Sequence, residues 1–327
     1  MVIYLVVAVA LLWSLTAILL TGPVLVRQPA PLVLPYDLDV SPERLRRDVE
    51  YLCGELAPRR HEPQDNLDRT ADWIADEFHR AGLEVEFQEY ELPEGRFWNV
   101  VGYRQGLEVD APVRIIGAHY DVFDSFPGAD DNASGMAVLL ELVRTLPPAR
   151  PKRSQYFVAF STEEPPFFGT EGMGSHVFAR ELHERGTQVD LMIALDLVGY
   201  FTEAPGSQRF PLPGMGLLYP RTGNFLAVVG DLRSGASIKR VKLSMARLTD
   251  LPIHSFRGPA ALPGVMWSDH RSFRGFDMPA VLLTDTAHMR YPWYHTEQDT
   301  PDKLDYERMA EIVRGLHGIV LDRDVAK

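Results

Sequence analysis

The chain has 327 residues, of which 46% are hydrophobic, and 45 Asp and Glu against 33 Lys and Arg give a net charge of −12 at pH 7. This composition is that of a globular protein and excludes intrinsic disorder. The acidic balance argues against nucleic-acid binding, which needs a clustered excess of Lys and Arg. A single cysteine, Cys53, excludes an internal disulfide framework and a zinc site built on two or more thiolates.

The first 26 residues carry no charged side chain, and residues 2–20 are almost wholly apolar. At about 1.5 Å per residue, this run spans roughly 30 Å, the thickness of a bilayer core. A cleaved signal peptide would have a basic start, an apolar run of roughly 7 to 15 residues and a small-x-small cleavage site, and none of the three is evident. We therefore predict a transmembrane anchor over residues 1–26, with a removed signal sequence as the alternative.

After this run, the prolines at positions 23, 29, 31 and 35 predict a stiff, Pro-rich linker over residues 27–40. One domain is predicted over residues 41–327. Ser41 followed by Pro42 is typical of a helix start, and Leu45, Val49 and Leu52 give the helical stripe. A second helix is predicted from Leu67 to Phe78, with Gly82 as its stop signal.

Short apolar runs and helical patterns then alternate along the chain. Strands are predicted at 83–87, 98–103, 113–118, 155–160, 191–195, 225–229 and 279–283, and helices at 133–146, 171–184, 237–248 and 306–321. This alternation predicts the α/β class, with a central mixed, mostly parallel sheet flanked by helices on both faces. Residues 200–265 are rich in Gly and Pro, and their pattern does not define an order of elements beyond the strand and the helix named.

Polar side chains stand where several of these strands end. In open α/β sheets, sites form outside the carboxyl ends of the strands. The polar residues at these ends are His119 and Asp121, the pair Glu163 and Glu164, Asp196, and His295, and Asp130 and Asp131 precede the helix at 133–146. Each residue alone has an ordinary structural explanation, such as capping or a solvated loop, but independent explanations for all of them together are improbable.

Two histidines and three carboxylates without a thiolate suit a pair of divalent ions such as zinc. Two Zn2+ ions carry four positive charges, which Asp131, Glu164, Asp196 and one hydroxide would balance. The adjacent glutamates can take different roles, because Pro165 and Pro166 end the strand after them. One carboxylate can then bind metal while the other reaches the reacting water, as a general base must.

These motifs together resemble the di-zinc aminopeptidases of the twenty-eighth metallopeptidase family, which includes bacterial leucyl-type aminopeptidases. The resemblance covers roughly residues 41–327. The residues that carry it are His119-x-Asp121, the glycine-bounded segment 128–135, Glu163-Glu164, Asp196 within 194–200, and 294–296 followed by 299–305. It implies a zinc aminopeptidase fold, two Zn2+ per chain, and a peptide substrate with a free N-terminus.

The resemblance also implies a role for each site residue. His119 and Asp196 would bind one zinc ion, Glu164 and His295 the other, and Asp131 would bridge the two. Glu163 would be the general base that deprotonates the zinc-bridging water.

Three further features follow from the resemblance. Asp121 would orient His119, since a metal-bound histidine usually has such a partner. Tyr294 would stabilise the oxyanion. The peptide bond between Asp131 and Asn132 would be cis.

Other functions on the same fold stay open at this stage. A glutaminyl cyclase would share most ligands, a carboxypeptidase would need a cation for the substrate carboxylate, and a receptor-like homologue would have lost catalysis. Ser268, Asp269 and His270 form either a structural hydrogen-bonding cluster or a substrate contact. The resemblance does not predict the substrate preference. The loop at 165–172 is longer than its common form in the family, and the segment at 200–265 is longer than in the compact secreted members.

The orientation in the membrane rests on two conflicting signals. Four arginines follow the apolar run, at positions 27, 44, 46 and 47, and none precedes it, which favours a cytoplasmic domain. The long domain and its resemblance favour the opposite side. We expect a single-pass membrane protein with an extracytoplasmic catalytic domain, against the arginine count.

Overall fold

The computed structural model describes residues 23–34, 36–211 and 213–321 of the chain. Within that part, eight strands form one sheet in the order β1-β2-β4-β3-β5-β8-β6-β7. The strands are β1 Glu84–Leu92, β2 Gly95–Arg104, β3 Val113–His119, β4 Gln155–Phe160, β5 Val189–Leu195, β6 Leu226–Asp231, β7 Ile253–Gly258 and β8 Ala280–Thr284.

The helices that accompany this sheet are α1 Pro42–Cys53, α2 Asp65–Arg80, α3 Gly135–Arg144, α4 Gly174–Glu184, α5 Gly235–Met245, α6 His270–Gly275 and α7 Tyr306–Val320. A turn, Ala129–Ser134, precedes α3, and the backbone of Asp131 and Asn132 within it is not helical. The predicted α/β class with helices on both faces is confirmed. One hydrophobic core unites α1, α2, α3, α5 and α7 on one face of the sheet, and a second core places α4 and α6 on the other.

The pairing explains the mixed character of the sheet. Strands β4, β3, β5 and β8 run parallel in its centre. Antiparallel pairs join β1 to β2, β2 to β4 and β6 to β8, whereas β6 and β7 are parallel. All seven residues of β3 are buried, as expected for a parallel strand covered on both faces.

Local signals in the sequence place most elements correctly. The Ser41 hydroxyl accepts the backbone N–H of Arg44 at 3.2 Å, so the predicted N-cap of α1 is confirmed. The helix predicted from residue 133 begins instead at Gly135, because the turn Ala129–Ser134 occupies the preceding positions. Strand β7 and helix α6 were not predicted. Six residues with little apolar alternation, such as β7, become a strand through pairing with β6.

The predicted membrane helix at residues 2–20 lies outside the described residues. Among those described, no helix has both the length and the apolar character needed to cross a bilayer. Residues 23–34, which cover the end of the anchor predicted at 1–26 and the first part of the linker predicted at 27–40, have no regular secondary structure. They pack on the domain, so the prediction that the anchor extends to residue 26 is wrong. There the N–H of Val24 donates to the Ser255 hydroxyl at 3.0 Å, and the N–H of Leu32 donates to the Arg247 carbonyl at 2.8 Å.

Candidate metal centre

The topology brings the polar residues of the strand ends together at one edge of the sheet. His119 is the last residue of β3, Asp196 follows β5 directly, and Glu163 and Glu164 follow β4 by three and four residues. Because β4, β3 and β5 are parallel neighbours, their carboxyl ends meet at this edge. His295 joins them from the loop after β8.

Asp131 reaches the same edge from the turn before α3. The Asn132 side chain holds that turn, since its amide donates to the carbonyl of Leu195 at 2.8 Å and its oxygen accepts the N–H of Gly135 at 3.0 Å. A side chain at position 135 would collide with both groups. The Asp131–Asn132 peptide bond is cis, as the resemblance implies. The local sequence therefore ties the turn to the end of β5.

Two groups of potential metal ligands result, and they share Asp131. In the first, Nε2 of His119 lies 3.4 Å from Oδ1 of Asp131 and 3.5 Å from Oδ1 of Asp196. In the second, Nε2 of His295 lies 3.0 Å from Oδ2 of Asp131 and 3.3 Å from Oε1 of Glu164. The two oxygens of one carboxylate thus face two different histidines.

These residues fit a pair of zinc ions. Ligand atoms about 2.0 to 2.2 Å from one tetrahedral ion lie roughly 3.3 to 3.6 Å apart, and the four distances match or approach this range. Three of the atoms, Oε1 of Glu164, Oδ1 of Asp196 and Nε2 of His295, are buried without a hydrogen-bond partner. Since buried polar atoms are normally satisfied, these atoms are directed toward a ligand rather than toward the protein.

The electrostatics of the site also fit bound cations. Burial alone would lower the pKa of both histidines, but the facing carboxylates raise the pKa of His119 well above its usual value and that of His295 to about 10. Burial raises the pKa of Asp131, yet the two imidazoles hold it below its usual value. Burial also raises the pKa of Glu164 to about 7. The site therefore stabilises positive charge, which divalent ions supply once the ligands are deprotonated.

Glu163 is buried beside the two groups but belongs to neither. Its Oε2 lies 3.9 Å from Nε2 of His119. Burial raises its pKa well above the usual range of a glutamate, and the nearby carboxylates of Glu164, Asp196 and Asp269 add to the rise. A carboxylate with a raised pKa, close to the metal ligands yet outside both groups, can accept a proton from a reacting water.

Asp121 contacts both His119 and the glutamate pair 163–164. Its Oδ1 lies 3.5 Å from Nδ1 of His119, which is longer than a hydrogen bond. The two carboxylate oxygens accept the backbone N–H groups of Glu163 at 3.1 Å and Glu164 at 3.0 Å. Besides its position next to His119, Asp121 therefore fixes the backbone of the glutamate pair, a contact that the sequence did not indicate.

Aromatic rings flank His295 on both sides. The ring of Tyr294 stacks on it at 3.9 Å, and the ring of Phe123 stacks at 4.1 Å with an interplanar angle of 2°. Burial and the site carboxylates raise the pKa of the Tyr294 phenol, so it stays protonated and can donate a hydrogen bond. The stack limits the rotation of the imidazole.

Two important residues were missed by sequence reasoning. Asp299 accepts the backbone N–H groups of Asp130 at 2.8 Å and Asp131 at 3.2 Å, and the Tyr291 hydroxyl at 2.6 Å. Arg59 is fully buried and donates to four backbone carbonyls, those of Leu52, Tyr120, Pro127 and Gly128. Asp299 lies in a segment that the resemblance includes, whereas nothing in the sequence around Arg59 distinguishes it from an exposed arginine.

Ser268, Asp269 and His270 are all fully buried, and Asp269 is close enough to His119 and Asp196 for their charges to affect its pKa. The Nε2 of His270 is 2.8 Å from the carbonyl of Val265. This burial argues against a direct substrate contact, but the Ser268 hydroxyl and both carboxylate oxygens of Asp269 are buried without a hydrogen-bond partner among the described residues, so the three residues do not form a hydrogen-bonding cluster among themselves.

Comparison with known proteins identifies the family. Residues 99–320 match the family described as Peptidase family M28, and the chain belongs to it. The chain is 42% identical to the Escherichia coli K12 protein YfbL, over 84% of this chain and 86% of that one. A probable leucine aminopeptidase of Arthroderma otae is 26% identical over 90% of this chain and 76% of its own length. The resemblance to the twenty-eighth metallopeptidase family is thus confirmed.

Solved structures with low sequence identity share the fold. A zinc aminopeptidase from Bacillus subtilis aligns with a TM-score of 0.68 at 14% identity, over 89% of this chain and 98% of that chain. A glutaminyl cyclase from Fimbriiglobus ruber aligns with a TM-score of 0.65 at 20% identity, over 90% of this chain and 99% of that chain. Both enzyme classes therefore occur on this fold.

Proposed function

We propose that this chain is a zinc-dependent aminopeptidase that hydrolyses the N-terminal peptide bond of peptides and holds two Zn2+ ions. The observation that carries the proposal is the pair of ligand groups joined by Asp131, with Glu163 beside them and in neither. His119 and Asp196 would hold one ion and Glu164 and His295 the other. Membership of the peptidase family and the relatives named as leucine aminopeptidases support it.

The chain's own residues supply proton transfer and orientation. When bound, zinc polarises the scissile carbonyl and lowers the pKa of water. Glu163 accepts a proton from the attacking water and passes it to the leaving amine. The Tyr294 phenol donates a hydrogen bond to the oxygen on which charge develops. The carboxylate of Asp121 accepts the backbone N–H of Glu163 and so keeps Glu163 in place.

The assignment of Glu163 is tested by Glu163→Gln, which keeps the shape of the side chain and removes its basicity. We expect turnover to fall by about 100- to 10,000-fold, the usual contribution of a general base, while bound zinc is unchanged. The control is Glu171→Gln, because Glu171 is exposed in the loop that follows. Substantial activity in Glu163→Gln with full zinc would refute the assignment.

A glutaminyl cyclase is the second candidate, since two of the structural neighbours are such enzymes. It would promote attack by the substrate's own amine and release ammonia. All five predicted zinc ligands of this chain lie in the two ligand groups. A full set of ligands for two ions favours the hydrolase. Mass analysis of a peptide with N-terminal Gln separates the two, because the cyclase removes 17 Da, the mass of ammonia, while the peptidase removes a residue.

A membrane anchor stays part of the proposal on sequence grounds alone, over the apolar run at residues 2–20, because Val24, near the end of the predicted anchor, hydrogen-bonds to the domain. It would fix the enzyme to the bilayer with the catalytic domain on the extracytoplasmic side. A protease-protection assay on intact cells tests this orientation. Cleavage of the domain by external protease supports it, and protection until the membrane is disrupted contradicts it.

A further inference from the structure

The first described residues of the chain are held at the outer edge of the sheet. The N–H of Val24 donates to the Ser255 hydroxyl at 3.0 Å, and the Val24 carbonyl accepts the buried ammonium of Lys242 at 2.8 Å. Ser255 lies on β7, the last strand in the sheet order, which among the described strands pairs with β6 alone. Val24 is therefore fixed to the domain at this edge.

Little chain separates this point from the apolar run at residues 2–20. Four residue steps lead from Leu20 to Val24, and even a fully extended chain covers at most about 14 Å in that number of steps. The headgroup layer on either side of a bilayer core is roughly 5 to 8 Å thick. If the run spans the bilayer, the domain surface around Val24 must therefore lie at the headgroups, because the tether is too short for the domain to turn another face toward them.

Large apolar side chains are exposed on this surface. Leu25, the residue after the one that β7 holds, is 84% exposed. A second segment reaches the same strand, since the Tyr219 hydroxyl donates to the Ser255 carbonyl at 3.1 Å. The two residues before this tyrosine, Leu217 and Leu218, are 90% and 47% exposed. Exposed apolar residues that cluster in this way are typical of surfaces that contact a protein or a membrane.

The charge of this surface suits a bilayer with anionic headgroups. Three segments meet at β7, namely residues 23–36, 204–225 and 251–268. Although the chain has a net charge of −12, these segments contain no aspartate or glutamate. Their charged residues are Arg27, Arg209, Arg221 and Arg257. Arginines are attracted by the negative potential of anionic lipids, so their presence without carboxylates favours a lipid surface.

One of these segments also lies between the exposed leucines and the metal centre. Met215 and Tyr219 line the cavity of about 320 Å³ that the metal ligands also line. Leu217 and Leu218, between them in the chain, are exposed. One side of this segment thus faces the cavity and the other faces outward. Contact with a bilayer on the outer side would place the cavity on the membrane-proximal side of the domain.

We propose that this surface lies against the lipid bilayer. We call it the bilayer face and define it by Leu25, Leu217 and Leu218 around Ser255. Its leucines lie among the headgroups, and its arginines lie beside anionic lipids. The inference rests on the membrane anchor of the proposed function and goes beyond it, because it fixes which side of the catalytic domain faces the membrane. The cavity beside the metal centre then lies near the membrane surface.

The test measures lipid contact at single positions of the full chain, inserted in vesicles of phosphatidylcholine and phosphatidylglycerol. Cys53→Ala first removes the native thiol, and Leu25→Cys or Leu217→Cys then carries an environment-sensitive fluorophore. A nitroxide on the upper acyl chain of a lipid quenches a fluorophore that it contacts. We expect at least about twofold quenching at positions 25 and 217, since apolar residues at a bilayer surface reach the boundary between headgroups and acyl chains.

Leu107→Cys is the matched control. Leu107 is 66% exposed and lies between β2 and β3, which are distant from β7 in the sheet order. A fluorophore there should not be quenched. All three labelled positions are exposed and so tolerate substitution, and a thermal melt checks the Cys53→Ala background. Cys53→Ser replaces it if Cys53→Ala lowers the melting temperature.

The outcomes separate this inference from the anchor and from the enzyme. Quenching at position 25 or 217 that does not exceed the control, in vesicles that retain the full chain, would overturn the bilayer face and leave the anchor intact. A fluorophore at position 217 that is shielded from water but not quenched would show that protein covers this surface, and would also overturn it. A chain that does not float with the vesicles in a density gradient would overturn both the anchor and the bilayer face. Peptide cleavage by the same vesicles measures the proposed aminopeptidase activity separately.

Discussion

The carboxylate of Asp299 accepts the backbone N–H of Asp131 at 3.2 Å, across 168 positions of the chain. Asp131 is the residue that both ligand groups share. A loop close to α7 therefore holds the central ligand of a site whose other members follow strands. Partners of this kind orient metal ligands and commonly affect metal affinity by about 10- to 100-fold.

We therefore predict that Asp299→Asn lowers zinc affinity by about 10- to 100-fold, because an amide is a weaker acceptor and can present an N–H to Asp131. Titration against a zinc chelator measures this affinity. Asp302→Asn is the matched control, since Asp302 is exposed in the same loop and bonds only to neighbours in the chain. Equal zinc affinity of Asp299→Asn and the wild type would show that Asp299 does not position the ligand.

Arg59 gives a prediction about stability. Its guanidinium donates to Tyr120 at 2.9 Å and Gly128 at 3.0 Å, and so joins the loop after His119 to the loop before Asp131. Arg59→Met leaves several buried carbonyls without a donor, each at a cost of about 1 to 3 kcal/mol. We expect the free energy of unfolding to fall by at least about 3 kcal/mol in urea titrations. Arg60→Met, at a more exposed position, should change it by less than about 1 kcal/mol, and a similar small effect at Arg59 would disprove its role.

The segment before α1 should stabilise the domain. The ammonium of Lys242, which is buried, donates to the Val24 carbonyl at 2.8 Å. A protein that begins at residue 41 loses this partner, and hydrogen bonds to charged groups contribute about 1.5 to 3 kcal/mol. We predict that it unfolds at lower urea than a protein that begins at residue 23. Lys242→Met should reduce the difference between the two lengths, whereas identical unfolding curves would show that the segment does not contribute.

Buried His317 predicts a specific pH dependence. Burial lowers its pKa to about 4, from about 6.5 in the unfolded chain. Its neutral form therefore contributes fully above pH 6.5, and the contribution is lost as the pH falls toward 4, because the unfolded chain then binds the extra proton. Between pH 7 and pH 5 the wild type should lose roughly 2 kcal/mol more than His317→Gln.

Urea unfolding at both pH values measures this loss. His183→Gln is the control, because His183 is exposed on α4. If His317→Gln and the wild type lose the same stability over this interval, His317 is not the group that titrates.

The sequence was sufficient for the elements that carry the ligands. His119 and Asp196 were placed at strand ends because β3 and β5 are continuous apolar runs, and such runs end abruptly at polar residues. Parallel pairing then brings those ends together. The prediction of zinc as the metal followed from the residue types at these strand ends, which are histidines and carboxylates.

The remaining features depend on contacts between distant parts of the chain. Strand β7 is short and owes its conformation to β6. The hydrogen bonds of Asp299 and Arg59 join residues far apart in sequence, and no local pattern encodes them. The cavity beside the metal centre is lined by residues of β6, β8 and the segment at 200–265, so its lining could be recognised only after folding.

Zinc content is the most direct test of the central claim, that Asp131 joins two metal sites. Elemental analysis of the purified, zinc-equilibrated protein should give two zinc ions per chain. Asp131→Ala should remove both, because each group loses a ligand. A wild-type protein with one ion or none would contradict the account.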